Sequence, residues 1–155
     1  MAINISSPIT GSAQTGLTSP TYTVVASQSP DLSQKLVAVT ALGGTQTGVT
    51  LHSMSSPFTL SVSVPRIVKI LGPVNPSTGV ITSIPNNNFH VITKKGVTPA
   101  SGQLTRVATI DTNLSIPAGS DTFDAPNIRA AISAHIGLLQ QISAGLGDTA
   151  VTGIS

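Results

Sequence analysis

His52, His90 and His135, with five aspartates, are the side chains best suited to acid–base or metal chemistry here, because the chain has no Cys and no Glu. The three histidines lie far apart, and no carboxylate stands at a metal-ligand spacing from any of them. No G-x-S-x-G elbow and no H-E-x-x-H helix occurs. Gly145-Leu146-Gly147-Asp148-Thr149-Ala150 fits the G-x-G-x-x-A form of the dinucleotide fingerprint, but it follows a helical pattern instead of a strand, and too little chain follows it to build a βαβ unit. Asp124 reads as a helix cap and Asp121 as part of a surface turn. The expectation is a protein that is not an enzyme and uses no cofactor and no metal.

What remains is contact chemistry. Lys94-Lys95 is the basic doublet of the chain, and Arg66, Lys69 and Arg106 lie on or near its strand-like segments. Next to them runs Phe58-Thr59-Leu60-Ser61-Val62-Ser63-Val64-Pro65-Arg66, whose period-two alternation puts four apolar residues on one side of a strand and Thr59, Ser61 and Ser63 on the other. A solvent-facing side usually carries Lys, Glu or Asp. Short hydroxyls beside a few cations fit phosphate and ribose contacts.

The elements that must position these residues follow from periodicity. The first 20 residues mix Ser, Thr, Gly and Pro with Ile3, Ile5 and Ile9, giving an arm or short edge strand (1–20). Residues 21–117 read as a β-sheet region. Its strands are expected at Thr21 to Ala26, Lys35 to Leu42, Thr47 to Met54, Phe58 to Leu71, Phe89 to Lys94 and Leu104 to Leu114, all rich in Val, Ile and Thr and bounded by turn residues. Short connections make neighbours antiparallel. Between them, residues 72–102 form a long Pro- and Gly-rich loop with a small hairpin inside it.

After Ser120 the period changes. Ile128, Ile132, His135, Leu139, Ile142 and Leu146 recur at spacings of four and three, which predicts one amphipathic helix entered at Asp124 and stopped at Gly145 and Gly147, with a last short turn after Asp148 (124–154). One helix cannot cover the apolar face of such a sheet, so a dimer with exchanged helices is expected, with Ile128, Ile132, His135, Leu139 and Ile142 at its interface.

Composition agrees. The 155 residues are 39% hydrophobic, which suits one domain over 1–155; only 8% are charged and 3% aromatic, a weakly charged surface that assembly would remove from water. A net charge of +2 is far below that of a protein that condenses nucleic acid by charge alone. Met1-Ala2-Ile3-Asn4 has no basic start followed by an apolar stretch, and no run of about 18 apolar residues occurs, so neither export by a visible signal nor membrane contact is expected.

The strand TLSVSVPRI, the later NLSIP and the terminal RAAISAHIGLLQQISAGLGDTAVTGI resemble the coat proteins of single-stranded RNA bacteriophages, the levivirus and levi-like group. The resemblance implies an α+β fold: an N-terminal β-hairpin and antiparallel sheet followed by C-terminal helices, two subunits joined edge to edge with interlocked helices. It implies a capsid protein of the virion, assembled in the bacterial cytoplasm, whose partners are itself, as a dimer and then an icosahedral shell, and a single-stranded RNA genome. Its RNA contacts fall on Thr50 and His52, on Thr59 and Ser61, and near Thr109 and Asp111; Ser63, Arg66, Lys69, Lys94 and Lys95 complete the set expected to bind RNA. Ser61 stands where the family carries a lysine and Thr109 where it carries a base-stacking tyrosine, so base readout there is expected to be weak. The resemblance also implies that the long loop surrounds the symmetry axes of the shell. An alternative from the residues alone is a β-rich tail, fibre or pilus-like subunit that polymerises without nucleic acid.

Overall fold

The computed structural model describes residues 3–154, so the arm's first two residues, Met1 and Ala2, and the terminal Ser155 lie outside the described residues. Six strands make one antiparallel sheet in sequence order: β1 (Ile9–Thr10), β2 (Thr18–Ser27), β3 (Gln34–Thr45), β4 (Phe58–Ser63), β5 (Asn86–Val97) and β6 (Arg106–Pro117). Three helices follow: α1 (Ser120–Phe123), α2 (Ala125–Gln141) and α3 (Ser143–Thr152). This is the expected α+β arrangement of a sheet followed by C-terminal helices.

The alternation of the sequence sets the two faces of the sheet. The row Val37–Leu60–Thr93–Ile110 crosses β3 to β6 on one face, and the row Ala38–Thr59–Lys94–Thr109 crosses them on the other. The first face carries the core. Val39 is fully buried there with Val24 and Val37, and Ile5, Ile9, Tyr22, Leu42, Phe58 and Leu60 pack around them. Tyr22 and Phe58 meet edge to face at 5.7 Å. The arm contributes Ile5 and Ile9 to this cluster, and its short β1 pairs with β2 as an edge strand.

Four expectations change. Residues 47–54 are not a strand: both edges of β3 are already taken, by β2 and β4, so no ladder position is left, and the segment folds over the covered face. One backbone bond, His52 N–H to the Val39 carbonyl (3.2 Å), and Lys95, whose Nζ donates to the Thr50 carbonyl and to Thr50 Oγ1 (both 2.8 Å), hold it there.

The strand begun at Phe58 stops at Ser63 instead of reaching Leu71, because Pro65 lacks the N–H a ladder needs. Further along, the side chain of Asn87 takes over that role: its Oδ1 accepts from Lys69 N–H (2.8 Å) and its Nδ2 donates to the Lys69 carbonyl (3.0 Å). Asn87 is buried, and both polar atoms of its amide have a partner.

The stretch 72–102 is not one loop. β5 begins at Asn86 and runs in unbroken register with β6, from Asn86 opposite Pro117 to Val97 opposite Arg106. The irregular excursion is 64–85, and a bridge between Val74 and Ile81 is the small hairpin within it.

The span expected as one helix with a last short turn holds two helices, α2 and α3, and the short α1 precedes it. Gly119, at φ 87°, turns the chain out of β6, and Leu71 packs where a β-carbon there would sit. Asp124 precedes α2 as expected, but its carboxylate accepts from Asn127 Nδ2 (2.7 Å) and makes no bond to a helical N–H. The helical path breaks at Ile142, and Gly145 and Gly147 lie inside α3 instead of ending it. Gly147 has a contact reason to be glycine: the amide of Gln14 occupies the space of its missing side chain.

Candidate functional site

The two faces of the sheet differ in what covers them. The arm, the 46–57 loop and the start of α2 all approach the core face, through Ile5 and Ile9, through Thr50 and His52, and through a cleft between Ile128 and the pair Phe89 and Ile116. The other face is open, and strand register assigns its residues.

Three rows run across it. Thr59 lies opposite Lys94, and Lys94 opposite Thr109. Ser61 lies opposite Ile92, and Ile92 opposite Asp111. Ser63 lies opposite His90, and His90 opposite Asn113, with Gln34 extending the row onto β3. Hydroxyls, two amides, an imidazole, one carboxylate and one ammonium therefore share a surface three to four strands wide. Ser61 is the buried member, because Leu36 and Ile92 flank it in its row; its Oγ reaches the Ile92 carbonyl at 3.5 Å.

The electrostatics are nearly balanced. Lys94 is the one Lys or Arg that the ladder of described residues places on this face, and Asp111 is the one carboxylate. Nδ1 of His90 lies 3.3 Å from both carboxylate oxygens of Asp111, a half-exposed pair formed diagonally across β5 and β6. Such a surface can hydrogen-bond phosphate and ribose oxygens, with one fixed positive charge per chain to attract them.

Of the residues expected to touch RNA, the structure brings Thr59, Ser61, Ser63, Lys94, Thr109 and Asp111 onto one face. It places the others elsewhere. Lys95 points to the core side, where its ammonium lies 4.8 Å from the centre of the Phe58 ring and is held by Thr50; partial burial lowers its pKa from the ordinary lysine value. Thr50 and His52 sit in the loop over that same side, and His52 Nδ1 accepts from Phe58 N–H (3.0 Å). The parity count that mapped them assumed a strand that does not form. Arg66 and Lys69 are exposed on the excursion beyond the end of β4. His90 and Asn113 went unassigned as contacts, although counting back by twos from Lys94 reaches His90, and counting forward by twos from Thr109 reaches Asn113.

The second feature is what the helices leave bare. α2 buries no residue within the chain. Ile128 and Ile132 are half-covered, and His135, Leu139 and Ile142 are exposed. Between Ile128, Ala131, Ile132 and His135 on one side and Leu114 and Ile116 on the other lies an open, mostly apolar cleft of about 270 Å³. On the same side of the sheet Ile110 is 68% exposed, so among the described residues neither α2 nor any other element covers the β6 end of the apolar face. Among the described residues no helix is long and apolar enough to cross a membrane, and no group of three or more His, Asp or other ligating side chains could hold a metal ion.

Among solved structures, the chain is similar to the virus-like particle of bacteriophage ESE020: 51% identity and a TM-score of 0.96, covering 99% of this chain and 100% of that one. No family model matches the chain, and no curated protein does.

Proposed function

The chain belongs to the capsid proteins that build bacteriophage virus-like particles, and from that premise we propose that its copies pair through the bare α2 stripe and the β6 side of the sheet, close into an icosahedral shell, and hold single-stranded RNA against the open face. The observation that carries the RNA part is the asymmetry of the sheet. One face is packed at β2 to β5 by the chain's own arm and loop and only approached by the start of α2, while the other presents Thr59, Ser63, His90, Lys94, Thr109 and Asn113 uncovered.

The mechanism is many weak contacts. Each subunit offers one ladder-borne cation and a set of neutral donors and acceptors, so a single dimer binds RNA weakly, and a shell multiplies the contacts over its copies. Without an aromatic platform on the open face, base-specific readout is weak. The dimer part rests on Ile128, Ile132, His135, Leu139 and Ile142, which form one stripe that the chain itself leaves half-covered or exposed.

The test is to express the protein alone, purify its particles, treat them with nuclease and extract the protected nucleic acid. Closed shells with mixed host RNA are the expected result. Closed shells without nucleic acid would overturn the RNA reading, and open fibres would overturn the shell.

A further inference from the structure

A carboxylate on the open face repels the phosphates that face is read to hold, and Asp111 is the one the ladder of described residues places there. Ionised, Asp111 can only accept hydrogen bonds, and both of its oxygens lie 3.3 Å from Nδ1 of His90. The neutral imidazole therefore carries its proton on Nδ1 and donates it to Asp111. That fixes the other nitrogen. Nε2 is left as a lone pair, without a protein partner among the described residues, on a side chain that is 34% exposed. In this form neither member of the pair can donate to a phosphate oxygen. A half-exposed pair also contributes little to stability, so its main consequence is for what the face binds.

We propose that the His90–Asp111 pair makes RNA binding on the open face pH-dependent, tighter in mild acid and weaker at neutral pH. The inference rests on the RNA reading above and names a regulation of that same face. Imidazole is the side chain that gains a charge between about pH 8 and 5. With a second proton on Nε2, the ring keeps its bond to Asp111 and offers an N–H to phosphate. The charge of the face changes with it. Lys94 and Asp111 cancel at neutral pH, so the ladder residues of this face carry no net charge; protonated His90 leaves one positive charge per chain.

The surroundings isolate the pair. Ser63 on β4 and Asn113 on β6 flank His90 in its row, with Gln34 beyond Ser63 on β3, and none of these titrates. Along β5 the next residues on this face are Ile92 and Lys94. Lys94 is four residues on, about 13 Å along the strand, too far to bond the ring and near enough to act on the same stretch of RNA. Arg66 and Lys69 stand on the excursion beyond the end of β4. The other histidines are elsewhere: His52 on the core side and His135 on α2.

The test is fluorescence anisotropy of a labelled oligouridylate titrated with the unassembled protein, at about 0.1 M salt and at pH about 7.5 and about 5.5. One added phosphate contact releases about 0.7 of a counterion from a single strand, which at this salt is about fivefold in affinity per chain. The parent should therefore bind about fivefold more tightly in acid. His90→Gln keeps a donor for Asp111 and cannot take a charge, so it should match the parent at neutral pH and hardly change in acid. Asp111→Asn should bind more tightly than the parent at neutral pH, because Lys94 is then no longer cancelled; this arm also covers the case in which His90→Gln folds poorly. Parent affinity that is equal at both pH values, or a rise in acid that survives in His90→Gln, would overturn the pH dependence assigned to this pair and leave RNA binding standing. An Asp111→Asn protein no tighter than the parent would overturn the cancelling role of the carboxylate. No binding at either pH would overturn the RNA reading itself, and this inference with it.

Discussion

Lys94 and Lys95 are adjacent in sequence and serve opposite faces of one strand. Lys94 is exposed in a row between Thr59 and Thr109 on the open face, whereas Lys95 donates to Thr50 and lies over the Phe58 ring on the core face. Removing one should therefore change binding, and removing the other should change folding. Lys94→Ala is expected to lower the RNA content per particle with the melting temperature unchanged. Lys95→Ala loses a partly buried cation–π contact and two charge-assisted bonds, and should cost about 1–2 kcal/mol while freeing the 46–57 loop to protease. RNA content by absorbance ratio and unfolding by denaturant check both. Equal effects of the two variants on RNA would show that the faces are not separate.

The α2 stripe gives a second prediction. Leu139 is 37% exposed within the chain, so a charge there should not disturb the sheet. If a second copy covers Leu139, each buried Leu or Ile contributes about 1.5–3 kcal/mol, and Leu139→Asp should abolish dimers and particles while circular dichroism stays close to that of the parent. Sedimentation is the measurement. A Leu139→Asp protein that remains dimeric would remove the stripe from the interface.

How much of this was legible in the sequence depends on whether a residue's role is set by its neighbours along the chain. The alternation of Phe58 to Ser63 is local, and it marked the strand and both of its faces correctly. Residues 47–54 alternate almost as well, yet no strand forms, because β2 and β4 already occupy the edges of β3 and periodicity does not count free edges. Asn86-Asn87-Asn88 reads as turn chemistry; it opens β5 because the Asn87 amide is consumed by the backbone of Lys69, 18 residues away. Gly147 reads as a helix stop for the same reason. Its partner, Gln14, lies at the other end of the chain. Contacts of that range leave no local pattern.

Asp31 makes a pH prediction. It sits in the turn from β2 to β3, where its carboxylate accepts from Ser33 N–H (3.1 Å). The backbone and side-chain bonds of Ser33, with a smaller contribution from the charge of Arg66, lower its pKa below the ordinary 3.8. A carboxyl whose pKa is lowered by folding adds stability above the unfolded value, and that stability is lost as pH falls through the folded one. Asp31→Asn keeps an acceptor for Ser33 and removes the titration. The parent should melt slightly higher than Asp31→Asn at pH 6, and the two curves should converge below pH about 3. A gap that widens with acid would contradict the assignment.

The last prediction concerns the two ends of the chain. Gln14, in the turn between β1 and β2, donates through Nε2 to the Ser143 carbonyl (2.9 Å) and to Ser143 Oγ (2.8 Å), and Thr15 Oγ1 donates to Asp148 Oδ2 (2.9 Å). α3 is thus tied to the N-terminal hairpin. Gln14→Ala should cost about 1–2 kcal/mol from two partly buried hydrogen bonds. Gly147→Ala gains about 1 kcal/mol of helix propensity but pushes the Gln14 amide out of its place, so the two effects should nearly cancel in the parent. In the Gln14→Ala background nothing is displaced, and Gly147→Ala should stabilise by about 1 kcal/mol. Denaturant unfolding of the four proteins at one fixed concentration yields the coupling. If Gly147→Ala stabilises equally in both backgrounds, the Gln14 side chain does not occupy that space, and the tie between the hairpin and α3 runs through Thr15 alone.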